Sequence, residues 1–464
     1  MTTTTTTTTD GTGREVYANY PALWHLEAIG VLDAFRGGAR KEAGKTPTRV
    51  AVIDTSVAVR HPCLKDAIDT SLAIDFFSNR LGAFPYYKDG ESFAPNVPNL
   101  ATDVADALPA TRTLLNELVD RLSHTSEPHV NGVAPCVSQE FSNHGTAIAG
   151  LVGARPAIAE IPADYIGAGA SEAKMPLPYT GVDPFCRMVP ISTNFDTDPE
   201  ALILAFLYAE MIDAQVILLP RSIPDPFRTV PPIDHEEGVL EALMPAYPTT
   251  REQMLWGELA QLIVAISMKR PIVCAAGNFQ ESGGIYPANL ACDHNGVIAV
   301  GAANAKGVVA GYSETVGATV MAPSNDVETY DRVSVRLDMQ AADYHDRAAP
   351  QRNNNGNFSH FEVISTDVPG RHGYSYSPFE STEPEDGLRE FGSYFCRFGG
   401  TSAASAITAG FVSLGYSLGE IQPGTDGLGA KNWLLSKTVM VETATGTFQC
   451  PAWAGQVSFP GLDV

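Results

Sequence analysis

No run of about 18 apolar residues occurs in this chain of 464, so no transmembrane helix is expected. The first residues carry neither a basic stretch nor an apolar one, and no secretory leader is visible. Basic residues are scarce, 30 against 53 acidic, which leaves a net charge of −23. A surface that acidic argues against nucleic acid and anionic membrane as partners. Paired cysteine patterns are missing too. The seven cysteines are odd in number and form no CxxC, so neither a disulfide framework nor a CxxC redox or zinc motif is indicated. These features together suggest a cytoplasmic protein that folds without a cleaved pro-segment. Gly167-Ala168-Gly169 is no GxGxxG and follows no clear strand, which disfavours a nucleotide site. No Gly-x-Ser-x-Gly elbow surrounds a plausible nucleophile, and Tyr344-His345-Asp346 reads as a loop rather than a metal site.

What remains is an ordinary globular composition, 44% apolar and 18% charged. Met1 is followed by eight threonines, and residues 1–16 read as a disordered Thr-rich segment. Residues 17–464 read as one domain. Tyr20 to Leu32 has helical spacing and is broken at Gly37-Gly38. Arg49 to Asp54 is a β-branched apolar run bounded by turn residues, as a buried strand requires. Met188 to Ile191, Val216 to Leu219, Ile272 to Ala276 and Val297 to Gly301 look alike. Helical patterns over Asp198 to Ala214 and Glu252 to Lys269 lie between them. Strands alternating with helices imply an α/β fold: a doubly wound, mostly parallel central sheet with helices on both faces. Active residues then gather at the carboxyl ends of the strands. Asn96 to Ser123 (with a helix over Thr111 to Leu122), Ala154 to Tyr179, Asp225 to Arg251 and Asn325 to His360 read as surface insertions.

Four residues stand where buried elements meet loops. Asp54 ends a strand; a turn or helix-capping Asp is the plainer reading. His144 opens a helix of small residues, with Asn143 available as its cap, and is in isolation a helix-start histidine. Asn278 closes Ala275-Ala276-Gly277-Asn278; a left-handed turn Asn is the alternative. Ser402 lies in Gly399-Gly400-Thr401-Ser402-Ala403-Ala404-Ser405-Ala406, at the start of a helix clad in small side chains, where it could simply be an N-cap.

Taken together, these segments resemble the subtilisin-like serine peptidases. Val52-Ile53-Asp54-Thr55-Ser56 resembles that family's aspartate motif, and His144-Gly145-Thr146-Ala147-Ile148-Ala149-Gly150 its histidine motif. Ala276-Gly277-Asn278 resembles its oxyanion motif, and Gly400-Thr401-Ser402-Ala403-Ala404-Ser405-Ala406 its serine motif, in the family's chain order. The likeness runs from about Trp24 to about Lys437. Ala406 replaces the usual proline, and the intervals Asp54–His144 and Asn278–Ser402 are longer than in compact members.

The resemblance implies an endopeptidase acting on protein or peptide substrates. Ser402 would be the nucleophile, His144 the base and Asp54 the orienting acid. The Ser402 N–H and the Asn278 amide would stabilise the oxyanion. It implies no cofactor; a structural calcium belongs to the family, but no ligand can be matched residue by residue. The substrate would bind as an added strand, with Leu219, Pro220, Arg221, Gly277 and Ile285 lining its cleft. Arg221 would place a cation near the cleft or point into solvent, and Ile285 would make the pocket shallow. Activity would be restrained by the insertions or by a regulatory protein partner. A catalytically silent peptide-binding module is the alternative.

Overall fold

The computed structural model describes residues 23–36, 46–76, 97, 99–123, 143–161, 173–194, 198–221, 223, 250–280, 283–326, 362–368, 373–374, 394–443 and 446–460. The Thr-rich segment, most of the insertion after Asp225 and most of that after Asn325 lie outside them. In chain order the elements are α1 (Trp24–Ala28), α2 (Val31–Arg36), β1 (Arg49–Asp54), β2 (Ile74–Asp75), α3 (Pro109–Ser123) and α4 (His144–Gly153). Then come β3 (Ala157–Ile161), β4 (Ala173–Leu177), β5 (Arg187–Ser192), α5 (Pro199–Met211), β6 (Val216–Leu219), α6 (Arg251–Ser267) and β7 (Ile272–Ala275). The chain continues with β8 (Val297–Ala303), β9 (Val320–Pro323), β10 (Val363–Thr366), β11 (Phe395–Phe398), α7 (Gly400–Ser417), α8 (Gly427–Ser436), β12 (Thr438–Thr443) and β13 (Gly446–Pro451).

Seven strands make one sheet in the order β2-β5-β1-β6-β7-β8-β9, and every neighbouring pair is parallel. β1 lies where the winding reverses: β5 and β2 extend to one side of it, and β6 to β9 to the other. A crevice opens at the carboxyl end of a sheet at such a reversal. Asp54 is the last residue of β1 and stands at that place.

The period of two along each strand divides the core in two. Val50, Val52, Met188, Val216, Leu218, Val273, Ile298 and Val300 face α4 and α7. Ala51, Ile53, Val189, Ile191, Ile217, Leu219, Ile272, Cys274 and Val297 face the other way, with α5, α6 and α3. Because both faces are covered, the strands are apolar runs rather than alternating ones. Burying each of the larger side chains contributes about 1.5–3 kcal/mol.

Small residues let the two helices of the first face approach closely. A Cβ at Gly410 of α7 would stand 2.7 Å from a carbon of Val182 and 3.1 Å from the Val152 carbonyl. Ala403, Ala404, Ala406 and Ala409 have no exposed surface. The Ala406 departure is therefore accommodated as packing. The string Gly415-Tyr416-Ser417-Leu418-Gly419 has the Gly-x-Ser-x-Gly pattern but ends a helix, and Ser417 Oγ lies 2.7 Å from buried Asp183 Oδ2; it is no strand-to-helix elbow.

The insertions keep structure of their own. α3 docks on α5 and α6 through Leu114, Leu115, Leu118 and Leu122. Its free N-terminal N–H groups are met by the Glu258 carboxylate of α6, which accepts from Ala110 N at 3.1 Å and Thr111 N at 2.6 Å. The Ala154 to Tyr179 insertion contains an antiparallel pair, β3 with β4. The chain closes with a second hairpin, β12 with β13, followed by Trp453, which stacks edge-on to Phe411 and Trp433. The first helical stretch is interrupted at Gly30, whose φ of 72° ends α1 before α2 begins.

Candidate active site

Asp54 is completely buried. Its carboxylate accepts from Thr55 N at 2.5 Å and faces His144 Nδ1, with Oδ1 at 3.0 Å and Oδ2 at 2.8 Å. Thr193 N donates to the Asp54 carbonyl at 2.7 Å and fixes the end of the strand. His144 is the first residue of α4 and is 7% exposed. The edge of its ring meets Phe398, with centroids 5.2 Å apart.

The first turn of α4 is locked to β1. Gly145 N donates to Thr55 Oγ1 at 2.9 Å. A Cβ at Gly145 would stand 2.3 Å from the Thr55 carbonyl oxygen, so only glycine fits. From the far side, Thr366 Oγ1 donates to the Thr146 carbonyl at 2.7 Å and Ser365 Oγ to the Ala147 carbonyl at 2.5 Å. Asn143 occupies the N-cap position, yet its side chain makes no capping hydrogen bond, contrary to the sequence expectation. Its backbone is already in the αR region, and its carbonyl accepts from Thr146 N and Ala147 N.

Ser402 lies in the first turn of α7, 9% exposed. It is not the cap; Gly399 is. Gly400 has a φ of 74°, and a Cβ there would press on the Asn278 amide at 3.1 Å. Three of the first four N–H groups of the helix are taken. Gly400 N donates to Asn325 Oδ1 at 3.0 Å, Thr401 N to Asn278 Oδ1 at 2.9 Å and Ala403 N to the Gly399 carbonyl at 3.3 Å. The Ser402 N–H has no partner among the described residues.

Asn278 is oriented by Thr401, whose Oγ1 also donates to Asn278 Oδ1 at 2.9 Å while accepting from Gly277 N at 3.1 Å. With the oxygen held this way, the NH₂ group is turned off Thr401. The left-handed residues here are Gly277 (φ 113°) and Gln280 (φ 58°), so Asn278 is not the αL turn residue of the alternative reading.

Residues 45–451 match the model of the subtilase family. The chain belongs to that family. It is a subtilisin-like serine peptidase by that membership, and its parallel sheet is the subtilase sheet. No curated protein sequence matches it. Among solved structures it is similar to the epidermin leader peptide processing serine protease EpiP from Staphylococcus aureus, with 15% identity over 97% of this chain and 83% of that one, and a TM-score of 0.51. It is likewise similar to the Aeromonas sobria serine protease in its complex with the chaperone ORF2, with 14% identity over 94% of this chain and 62% of that one, and a TM-score of 0.50. At these identities the likeness speaks for the subtilase fold alone.

The proposed cleft residues fare unevenly. Gly277 and half-buried Ile285 lie together, Ile285 N donating to the Ala276 carbonyl at 3.0 Å. Leu219 and Pro220 are buried, so their side chains line no open pocket. Arg221 departs from both expectations for it. It is 2% exposed and neither lines an open cleft as a cation nor points into solvent. Its guanidinium is consumed inside the protein, with Nη1 donating to the Asn194 carbonyl at 2.6 Å and Nη2 to Thr193 Oγ1 at 2.5 Å. A lone Arg after a proline carries no periodic signal that foretells burial.

For the family's calcium, no group of three His, Cys, Asp or Glu side chains able to hold a metal exists among the described residues. The six described cysteines form no disulfide with one another. No helix of the described residues is long and apolar enough to cross a membrane.

Proposed function

We propose that the protein is an endopeptidase that cleaves peptide bonds through Ser402, His144 and Asp54, with the Ser402 N–H and the Asn278 NH₂ as oxyanion donors. The observation that carries this reading is the pairing of His144 Nδ1 with both oxygens of a fully buried Asp54. A carboxylate in that place fixes the imidazole with Nδ1 protonated and Nε2 unprotonated, the form that acts as a base. A serine hydroxyl is a poor nucleophile until such a base takes its proton.

In the first step Ser402 Oγ attacks the scissile carbonyl carbon and its proton passes to His144 Nε2. Asp54 stabilises the imidazolium without taking the proton. The carbonyl oxygen becomes an oxyanion between the two donors. When the tetrahedral intermediate collapses, His144 gives its proton to the departing amine. Water, deprotonated by His144, then attacks the acyl-Ser402 ester, and the acid product leaves with Ser402 restored. The unpartnered Ser402 N–H supports the oxyanion role, and the Thr401 clamp on Asn278 Oδ1 supports the second donor.

The substrate lies extended between the backbone of 219–221 and that of 276–278, as an added strand. Ile285 fills part of the pocket beside Gly277, which favours small or medium side chains before the scissile bond over Phe, Tyr and Lys. Because Arg221 is buried, it offers the substrate no cation and gives no preference for acidic residues. Mass spectrometry of a peptide library tests the reading. Wild-type enzyme should cut internal bonds after small or medium residues, and Ser402→Ala should leave the library intact. Cleavage by purified Ser402→Ala at the wild-type rate would overturn the assignment.

A further inference from the structure

Among the described residues, Arg221 is the largest side chain that the fold buries almost completely. Taking a guanidinium out of water costs several kcal/mol unless its donors are met and placed well. This one is placed on a particular pair of acceptors, Thr193 Oγ1 and the Asn194 carbonyl, just past the end of β5. Arg221 itself stands just past the end of β6. These two strands are not neighbours, for β1 runs between them. The side chain therefore ties together the ends of the two strands that flank β1. An aliphatic residue cannot make that tie, and a lysine, lacking the fork, cannot hold both acceptors in one plane.

The segment that carries Arg221 is fixed at its ends as well. It leaves β6 through Pro220 and is bridged at Ile223, whose N–H donates to the Tyr286 carbonyl at 3.0 Å. Tyr286 follows Ile285 of the opposite wall. Residues 219–221 are thus held at the end of the sheet with a buried peg, and Ile223 is held by the facing wall.

We propose that Arg221 is a positioning residue: its guanidinium pegs the 219–221 wall to the end of β5, so that the wall's backbone is preformed to pair with an extended peptide. This rests on the groove reading given above. A preformed wall lowers the ordering cost of binding, and the benefit scales with the substrate residues that lie along it. Loss of the peg should therefore weaken long substrates more than short ones.

The test compares succinyl-Ala-Ala-Pro-Ala-p-nitroanilide, whose residues run along the wall, with N-acetyl-alanine p-nitrophenyl ester, which has none to place there. In Arg221→Met the peptide-to-ester ratio of kcat/KM should fall about tenfold, equivalent to about 1.4 kcal/mol, through KM of the peptide. Arg221→Lys should fall between Met and wild type. Thr193→Val removes one acceptor without touching Arg221 and should shift the ratio the same way by less; it decides the matter if Arg221→Met does not fold. An unchanged ratio in Arg221→Lys and Thr193→Val, or a fall in kcat on both substrates alike, would overturn the proposal. Failure of the triad reading would look different: the wild type itself would turn over neither substrate.

Discussion

Two helices begin at the same end of the sheet and on the same face, yet their first turns are built differently. In α4 the N–H groups of Gly145, Thr146 and Ala147 are all taken, by Thr55 Oγ1 and the Asn143 carbonyl. That turn holds a side chain, His144, against Asp54. In α7 side chains from outside the helix satisfy Gly400 and Thr401, and the Ser402 N–H stays open beside its own hydroxyl. A helix start is electropositive, and an N–H left free there is a donor waiting for charge. The difference shows that the serine helix is not simply capped, as a structural helix would be. Its neighbours are satisfied one by one around a single donor.

The largest loss expected from breaking this arrangement, short of removing the nucleophile or its base, comes from the second donor. Asn278→Ala should lower kcat by about 10²–10³ with little change in KM, the loss known for a donor of this type in a subtilisin. Steady-state kinetics would check it, and a rise in KM with kcat held would make Asn278 a binding or structural residue instead.

Thr401→Val sharpens the same point. It keeps the shape but deletes the hydroxyl that donates to Asn278 Oδ1 and accepts from Gly277 N. The amide loses half of its clamp, and a buried N–H loses its partner at a cost of about 1–3 kcal/mol. Melting temperature should fall, and kcat should fall by about tenfold, less than for Asn278→Ala. Equal kcat losses in the two variants would mean that the clamp is the whole of the donor's effect.

The smallest effect concerns acid stability. His61 is buried as the neutral ring, its Nε2–H donating to the Tyr394 carbonyl at 2.9 Å while Nδ1 accepts from Cys63 N at 3.0 Å. Burial lowers its pKa to about 4, and burial lowers that of His25 to about 3. The folded value lies below the unfolded 6.5, so unfolding takes up a proton between the two. Stability from this group is full above pH 6.5 and declines as pH falls toward 4, by up to about 1.4 kcal/mol per pH unit. The buried Asp183 carboxyl, raised by burial, acts in the opposite sense. Chemical denaturation of wild type and His61→Gln at several pH values isolates the histidine: the variant should lose less stability on acidification. Parallel curves would contradict it.

Much of this was legible in the chain because it rests on local pattern. β1, β6, β7 and β8 are short β-branched runs that both faces of the sheet demand, and α3 shows its apolar spacing plainly. Asp54, His144, Asn278 and Ser402 lie in contiguous motifs. What the pattern could not show depends on partners distant in sequence. β10 pairs with β11 across an insertion, and β9 is placed by its pairing with β8 at the edge of the sheet. Asn143 looks like a cap, but its backbone already turns into the helix. Arg221 is buried by acceptors just past the end of β5, brought near by the sheet rather than by the chain.

The central claim is that Ser402 is a nucleophile activated through His144. Labelling the folded protein with a fluorophosphonate probe and mapping the adduct by mass spectrometry tests it most directly. The account predicts a single adduct on Ser402 in the wild type and its loss in His144→Ala of unchanged fold. An unlabelled wild type, or a His144→Ala protein that labels at the wild-type rate, would contradict it.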